Sequence, residues 1–365
     1  MPRINSPKRR MLLVTEGHLG TFSSKTAASL IRYCPDEVAG IVDSHFAGQS
    51  AGAILGIGDG IPIFANVKDA LLARPDTLVI GVAPVGGGLE AAWRALVLDG
   101  LRAGLDIIAG LHVALGRDGE LAAAASSGAR IFDVRESPPD IPVATMRAMD
   151  VRAFRVLTIG TDCNCGKMVA ALELTRAARE AGLDARFIAT GQTGIMISGR
   201  GIAVDHVVSD FAAGAAERIV LDDGDADIVF VEGQGSIAHP GYSGVTLSLM
   251  HGSLPQAMVL VHAAGRKAVR KLPREVRLPA LAEMIESSES LMRPIFPSKA
   301  VAVALNTFGL SDEDARRAVA DAERETGLPA GDVVRFGAGP VWNRVKEAYD
   351  EASHRNVEAR PHTSV

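Results

Sequence analysis

The residues best suited to chemistry lie in one stretch: Gly160, Thr161, Asp162, Cys163, Asn164, Cys165, Gly166, Lys167 and Met168. An apolar run, Val156–Ile159, ends at the first glycine, and a helical pattern begins at Lys167. That is the setting of a phosphate-binding loop. Successive backbone N–H groups curl round an anion, the helix N-terminus adds partial positive charge, and a lysine neutralises oxygens. The usual form is G-x-x-x-x-G-K-[ST]. Here five residues, not four, separate Gly160 from Gly166, and Met168 stands where a hydroxyl would hold Mg²⁺. A thioether is a poor ligand for a hard cation. The pattern therefore favours holding a phosphate or pyrophosphate over cleaving one.

Further candidates follow in chain order. Thr190–Gly201 carries Gln192, Thr193 and Arg200 just after an apolar run. In open α/β sheets ligands bind at the carboxyl ends of strands, so these are substrate-side candidates. The planar fork of Arg200 suits a carboxylate. The run Ile228–Val231 ends in Glu232, a candidate general base or metal ligand, with a glycine on either side of Gln234. Ser236, His239, Tyr242 and Ser243 come next, with His239 the second choice as base. His262 and Arg266 follow another apolar run and should open on the same edge. Cys163 and Cys165 could carry an acyl group, since a thiol beside a lysine at a helix N-terminus is acidified. The plainer reading makes them small packing residues.

These residues need a scaffold of parallel strands. The first half has apolar runs at Met11–Thr15, Val38–Val42, Leu78–Ala83, Ile107–Leu111 and Ile131–Val134. The second half has Val156–Ile159, Arg186–Ala189, Ile228–Val231, Met258–His262, Val301–Leu305 and Val333–Phe336. The runs are continuous rather than alternating, as strands buried on both faces require. Helical patterns between them predict parallel βαβ crossovers. The clearest helices are Lys167–Ala181, stopped by Gly182, and Asp312–Thr326, with Ser311 as N-cap and Gly327 beyond the end. Ser137–Pro142 holds three prolines and reads as a stiff connector. The expectation is an α/β protein of two domains, about 9–136 and 143–350, each a parallel sheet, with a frayed polar tail after Tyr349.

The first half has Rossmann character. Glu16–Gly20 follows its first strand and Asp43 ends its second, near where an acid would meet a ribose hydroxyl. The G-x-G-x-x-G fingerprint is absent, so Gly17, Gly20 and Asp43 also read as turn residues and a surface acid. Gly86–Gly88 would let a ligand or a backbone approach closely. The stretch from Gly60 through Phe64 to Ala83 resembles CoA-binding domains of the succinyl-CoA-synthetase type.

Composition limits the partners. At 365 residues, 47% hydrophobic and 22% charged, the chain has material for sizeable cores. A net charge of −5 argues against a general nucleic-acid binder. Three cysteines give no disulfide framework and fit a reducing cytoplasm. No apolar stretch is long enough to span a bilayer, so no membrane partner is expected. Intracellular enzymes usually form symmetric oligomers, so a homo-oligomer is expected.

The longer loop spacing with Gly160-Thr161-Asp162 at its head resembles dethiobiotin synthetases, as does the strand leading to Glu232. That resemblance implies that Asn306, ending the run Ala300–Leu305, reads adenine, and that Arg335–Pro340, with Gly339, completes the adenine pocket. Taken with Thr190–Gly194 and Val231–Ser236, the whole chain from 10 to 350 resembles the D-glutamate N-acetyltransferase family, which pairs a Rossmann-like N-terminal domain with a P-loop C-terminal domain. The resemblance implies acetyl transfer from acetyl-CoA to the amine of D-glutamate, with no metal required. Gly160–Met168 would then cradle a CoA phosphate, Glu232 or His239 would take a proton, and Arg200 and Arg266 would hold the carboxylates. Other classes remain: an ATP/Mg²⁺-dependent ligase or kinase, a non-catalytic nucleotide- or CoA-binding protein, and an oxidoreductase, against which the missing fingerprint counts.

Overall fold

The computed structural model describes residues 9–21, 23–82, 87–125, 128–270 and 272–358. The chain forms two compact units. The first comprises Met1–Pro138 and Gly191–His206, the second Pro139–Thr190 and Val207–Val365. The division falls inside the proline-rich connector.

In the first unit the strands are β1 (Met11–Val14), β2 (Val38–Val42), β3 (Ile63–Phe64), β4 (Thr77–Ile80), β5 (Asp106–Ala109) and β6 (Ile131–Asp133). They pair in the order β3-β2-β1-β4-β5-β6, every pair parallel. That is the doubly wound Rossmann order. The apolar runs become strands because both sheet faces are covered: all four residues of β1 and of β4 are buried. Leu12, Val14, Leu78 and Ile80 pack with Trp93, Val97 and Leu101 of the helix Ala91–Arg102. Each such side chain contributes roughly 1.5–3 kcal/mol on burial. Gly100 lets that helix lie close to the sheet, since a Cβ there would meet Leu78 at 2.9 Å.

In the second unit the strands are β7 (Phe154–Gly160), β8 (Ala185–Ile188), β9 (Ile228–Val231), β10 (Ala257–Ala263), β11 (Lys299–Asn306) and β12 (Ala330–Gly331). Their order is β12-β11-β10-β7-β9-β8, again all parallel. All seven residues of β7 are buried. The chain leaves β7 towards β9 and β8, then returns to its other side for β10 and β11. The crevice at the carboxyl ends of β7 and β10 is therefore the switch point, where open sheets of this kind bind ligands. The helices Lys167–Glu180 and Asp312–Thr326 form as their patterns predict. Ser311 caps the latter through the amide of Asp314, and Gly327 closes it in the left-handed conformation.

Two expectations are corrected. Val333–Phe336 is a turn, not a strand, and the last strand is the shorter β12 before it. The carboxylate of Asp332 accepts from the amides of Thr307, Val334 and Arg335 and so folds that segment into a turn. The segment after Tyr349 stays ordered for a further stretch: the last helix runs Gly339–Glu358, anchored by buried Val341, Trp342 and Val345.

The stretch Gly191–His206, with its helix Gln192–Ser198, belongs to the first unit. Thr26 and Thr193 share a 2.9 Å hydroxyl hydrogen bond. Arg135, 7% exposed, donates to Asp205 at 2.6 Å and to the Gln192 side chain at 2.9 Å. Arg9 donates to the carbonyl of Met196 at 2.9 Å. No helix among the described residues is long and apolar enough to cross a membrane.

Candidate active site

The loop Gly160–Lys167 joins β7 to the helix Lys167–Glu180. Glycine is required at both of its ends. A Cβ on Gly160 would sit 2.8 Å from the Cys165 sulfur and 2.9 Å from the Lys167 ammonium. Gly166 has φ +115°, a conformation side chains rarely adopt. Lys167 is only 6% exposed and its Nζ donates to the carbonyl of Asp162 at 2.8 Å, so the ammonium lies across the loop. The first helical hydrogen bond is from Ala170 to Gly166. The amides before Ala170 therefore lie outside the helical ladder, as at any helix N-terminus.

Asp162 is fully buried and holds the loop's shape. One oxygen accepts from the amide of Cys163 at 2.7 Å; the other accepts from the Arg266 guanidinium at 3.1 Å and the amide of Arg270 at 3.0 Å. Arg266 also donates to the carbonyls of Cys163 at 2.7 Å and Asn164 at 3.1 Å. Its fork thus clamps the loop from outside. Thr161 is buried and bonds the Nδ1 of His262 at 2.9 Å. Burial first, then the neighbouring Arg266 charge, lowers the His262 pKa from 6.5 to about 4, so this imidazole is neutral at physiological pH.

β9 delivers Glu232 beside the loop. Its carboxylate accepts from the amide of Thr190 at 3.0 Å, and the Thr190 hydroxyl donates to its carbonyl at 2.8 Å. The next residue admits no side chain: a Cβ on Gly233 would lie 1.5 Å from the carbonyl oxygen of Thr158 and 3.1 Å from the Lys167 side chain. The amide of Gly233 donates to the Thr158 hydroxyl at 2.9 Å. Ser236 donates to the carbonyl of Thr161 at 2.9 Å. His239, 3% exposed, accepts at Nδ1 from the amide of Gly241 (3.1 Å), and its Nε2 lies 3.2 Å from the carbonyl of Arg270. Those partners assign the proton to Nε2. Asp162, Cys163 and His239 each bring a side-chain oxygen, sulfur or nitrogen within 4.8 Å of the others. Ile237 and Ala238, just before His239, line an open cleft of about 480 Å³ with Pro279, Met284 and Leu291.

Asn306 ends β11, with its amide group next to Gly166: a Cβ there would meet the Asn306 side chain at 3.8–3.9 Å. Its Oδ1 accepts from the amide of Phe308 at 3.0 Å. Gly339 opens the last helix. The structure thus brings Gly160–Met168, Glu232, His239, His262, Arg266 and Asn306 together around the carboxyl ends of β7, β9, β10 and β11. Gln192, Thr193 and Arg200 lie in the segment packed into the first unit. Sequence reasoning missed Thr158 and Arg270. A threonine inside an otherwise apolar strand was a signal for the first. Arg270 acts through its backbone, which leaves no mark on residue type.

In the first unit Asp43 is fully buried rather than a surface acid. It accepts from the Thr15 hydroxyl at 3.0 Å and the amides of Leu19 at 3.3 Å and His45 at 3.2 Å. Its oxygens shape the turn after β1. Of Gly86–Gly88, Gly86 lies outside the described residues.

The chain matches two family models: "Domain of unknown function (DUF1611_C) P-loop domain" over residues 142–342 and "Domain of unknown function (DUF1611_N) Rossmann-like domain" over residues 44–137. It is 36% identical over 319 residues to a D-glutamate N-acetyltransferase of Tritonibacter scottomollicae, covering 87% of this chain and 92% of that one. A D-glutamate N-acetyltransferase of a Pseudoalteromonas species is 35% identical, covering 76% of this chain and 83% of its own. The crystal structure of a DUF1611 family protein from Anabaena variabilis superposes with a TM-score of 0.88 at 41% identity, over 93% of this chain and 99% of that one. The Rossmann-ordered first sheet, the second sheet with its phosphate-type loop, and relatives matched along most of their length agree: the chain belongs to the D-glutamate N-acetyltransferase family, the DUF1611 proteins with a Rossmann-like N-terminal and a P-loop C-terminal domain.

Proposed function

We propose that this protein transfers the acetyl group of acetyl-CoA to the amino group of D-glutamate. The observation that carries the reading is the Gly160–Lys167 loop at the switch point of β7 and β10, in a chain matching two D-glutamate N-acetyltransferases over most of their length. The loop fits a phosphate group. Gly160 and Gly233 let the loop and the end of β9 pack closely against Lys167 and Thr158, and Lys167 brings a buried cationic side chain to the loop. With Met168 at the hydroxyl position the loop is suited to anchoring the phosphates of CoA, and acetyl transfer from a thioester requires no metal. Asn306, next to Gly166, is placed to read the adenine, with Gly339 at the start of the last helix as a second wall.

Glu232 takes a proton from the substrate ammonium, leaving a free amine to attack the acetyl carbonyl. The new C–N bond forms as the C–S bond breaks; the sulfur departs with the electron pair and takes up the proton that the nitrogen loses as it becomes an amide. Backbone amides of the glycine-rich turns stabilise the oxyanion. His239 has both ring nitrogens engaged by backbone groups and is the weaker candidate for deprotonating the amine. Arg266 serves as the clamp on the loop, its guanidinium engaged by Asp162 and two carbonyls. We place the enzyme in the cytoplasm as a homo-oligomer, with no nucleic-acid or membrane partner.

The test is to mix the purified protein with acetyl-CoA and D-glutamate and follow free thiol and N-acetylglutamate, with and without EDTA. EDTA-insensitive release of both supports the reading. Mg²⁺-dependent ATP hydrolysis without thiol release would replace it with a ligase or kinase, and tight CoA binding without turnover of any amine would replace it with a sensor.

A further inference from the structure

The loop carries two thiols, and the structure separates them. Cys165 is fully buried; its sulfur donates to the carbonyl of Asp162 at 3.2 Å and lies 3.6 Å from the Lys167 ammonium. It is packed inside the loop. Cys163 is only half-buried, and its sulfur falls within 4.8 Å of a ring nitrogen of His239 and a carboxylate oxygen of Asp162. A thiol and an imidazole held by a third group are the parts of a covalent acyl-transfer site, and here the backbone of Arg270 and Gly241 holds the imidazole.

The backbone of one residue holds this cluster together. The amide of Arg270 donates to Asp162 at 3.0 Å, while its carbonyl lies 3.2 Å from the Nε2 of His239. The segment carrying Arg266 and Arg270 therefore ties the phosphate loop to the His239 turn. Nε2–H bonded to a carbonyl fixes the ring, and Nδ1, which accepts from the amide of Gly241 in this structure, takes the thiol proton once that hydrogen bond opens. The Arg266 guanidinium, 3.1 Å from Asp162 and 2.7 Å from the Cys163 carbonyl, and the adjoining helix N-terminus favour negative charge in the loop. The open cleft beside Ile237 and Ala238, apolar at Met284 and Leu291, lies immediately before His239 in the chain.

We infer that Cys163 accepts the acetyl group as a thioester before it reaches the amine, with His239 as the base that frees the thiol, so that the reaction runs through an acetyl-enzyme. This rests on the acetyl-transfer reading above. In the first half, the Cys163 thiol gives its proton to His239 and the sulfur bonds the acetyl carbonyl carbon. The carbon–sulfur bond to CoA breaks, and the CoA sulfur leaves with the electron pair and takes the proton back from His239. In the second half, the free amine attacks acetyl-Cys163, a C–N bond forms, the Cys163 carbon–sulfur bond breaks, and the sulfur is reprotonated as the nitrogen loses a proton. Cys163 and His239 are catalytic residues; Asp162 and Arg266 are positioning residues.

The experiment uses the full chain and isotopically labelled acetyl-CoA without D-glutamate. After acid quench, the expected result is one equivalent of CoA thiol released and hydroxylamine-labile label on the peptide containing Cys163. Chasing with D-glutamate should move that label to N-acetylglutamate, and initial-rate plots should be parallel, as in ping-pong kinetics. Cys163→Ser should lose the label, and His239→Gln should slow labelling by about 10²–10⁴-fold. The wild-type measurements decide the matter even if a variant fails to fold. Transfer to D-glutamate with converging rate plots and no label on Cys163 overturns the covalent step alone. Failure of the wild-type protein to transfer acetyl to D-glutamate at all overturns the reading beneath it.

Discussion

Each sheet sends its central strand into a loop and sets a buried aspartate beside it, yet the two loops are built for different ends. After β1, Asp43 turns its oxygens inward on the loop and accepts from Leu19, His45 and Thr15. After β7, Asp162 gives one oxygen to the amide of Cys163 and the other to Arg266 and the amide of Arg270, while Lys167 crosses the loop between two obligatory glycines. The same architecture and the same residue type thus yield a self-contained turn in one unit and a cationic cradle in the other. What differs is the cation: a buried lysine crosses the second loop and a guanidinium clamps its aspartate.

The contrast can be broken by mutation. The largest effect is expected at Glu232, beside the second loop. Glu232→Gln should cut turnover by about 10²–10⁴-fold while KM for acetyl-CoA stays within a few-fold; a fully active variant removes Glu232 as base. A thermal-stability series against pH tests the buried His262, which bonds Thr161. Its pKa falls from 6.5 to about 4 on folding, so the unfolded chain takes up the proton first. Stability should be at its plateau above pH ~6.5 and fall as the pH drops towards ~4, by on the order of 3 kcal/mol. His262→Gln should flatten that limb, and an unchanged slope would mean another group carries it. Lys167→Ala should weaken CoA binding by about 10–100-fold, the worth of one charge-assisted hydrogen bond, with melting temperature nearly unchanged. The smallest effect belongs to the first loop: Asp43→Asn should lower stability by about 1–2 kcal/mol and leave CoA affinity untouched, as measured by calorimetry. A loss of CoA affinity in Asp43→Asn would erase the distinction between the loops.

Much of the site was legible because its signals are local. Gly160, Gly166 and Lys167 lie within eight residues on a strand–loop–helix, and Glu232 ends an apolar run. The Val333–Phe336 run misled because two valines and a phenylalanine look like a strand. The Asp332 carboxylate, by capping Val334 and Arg335, makes a turn cheaper than pairing. Gln192 and Thr193 looked like neighbours of the phosphate loop because they follow β8. Their partners, Arg135 and Thr26, are 57 and 167 residues away, and no local pattern reports them.

Residue types and spacing alone determined that this chain makes two parallel α/β sheets and one phosphate loop without a metal-binding hydroxyl. Buried strands and helix N-termini are chosen by hydrophobic runs and glycine positions within a few turns of chain. Only the tertiary structure decided which partners each aspartate takes, and that Cys163 rather than Cys165 lies beside His239. Those outcomes depend on hydrogen bonds from residues such as Arg266 and Arg270, over 100 positions distant, whose partners the sequence does not name.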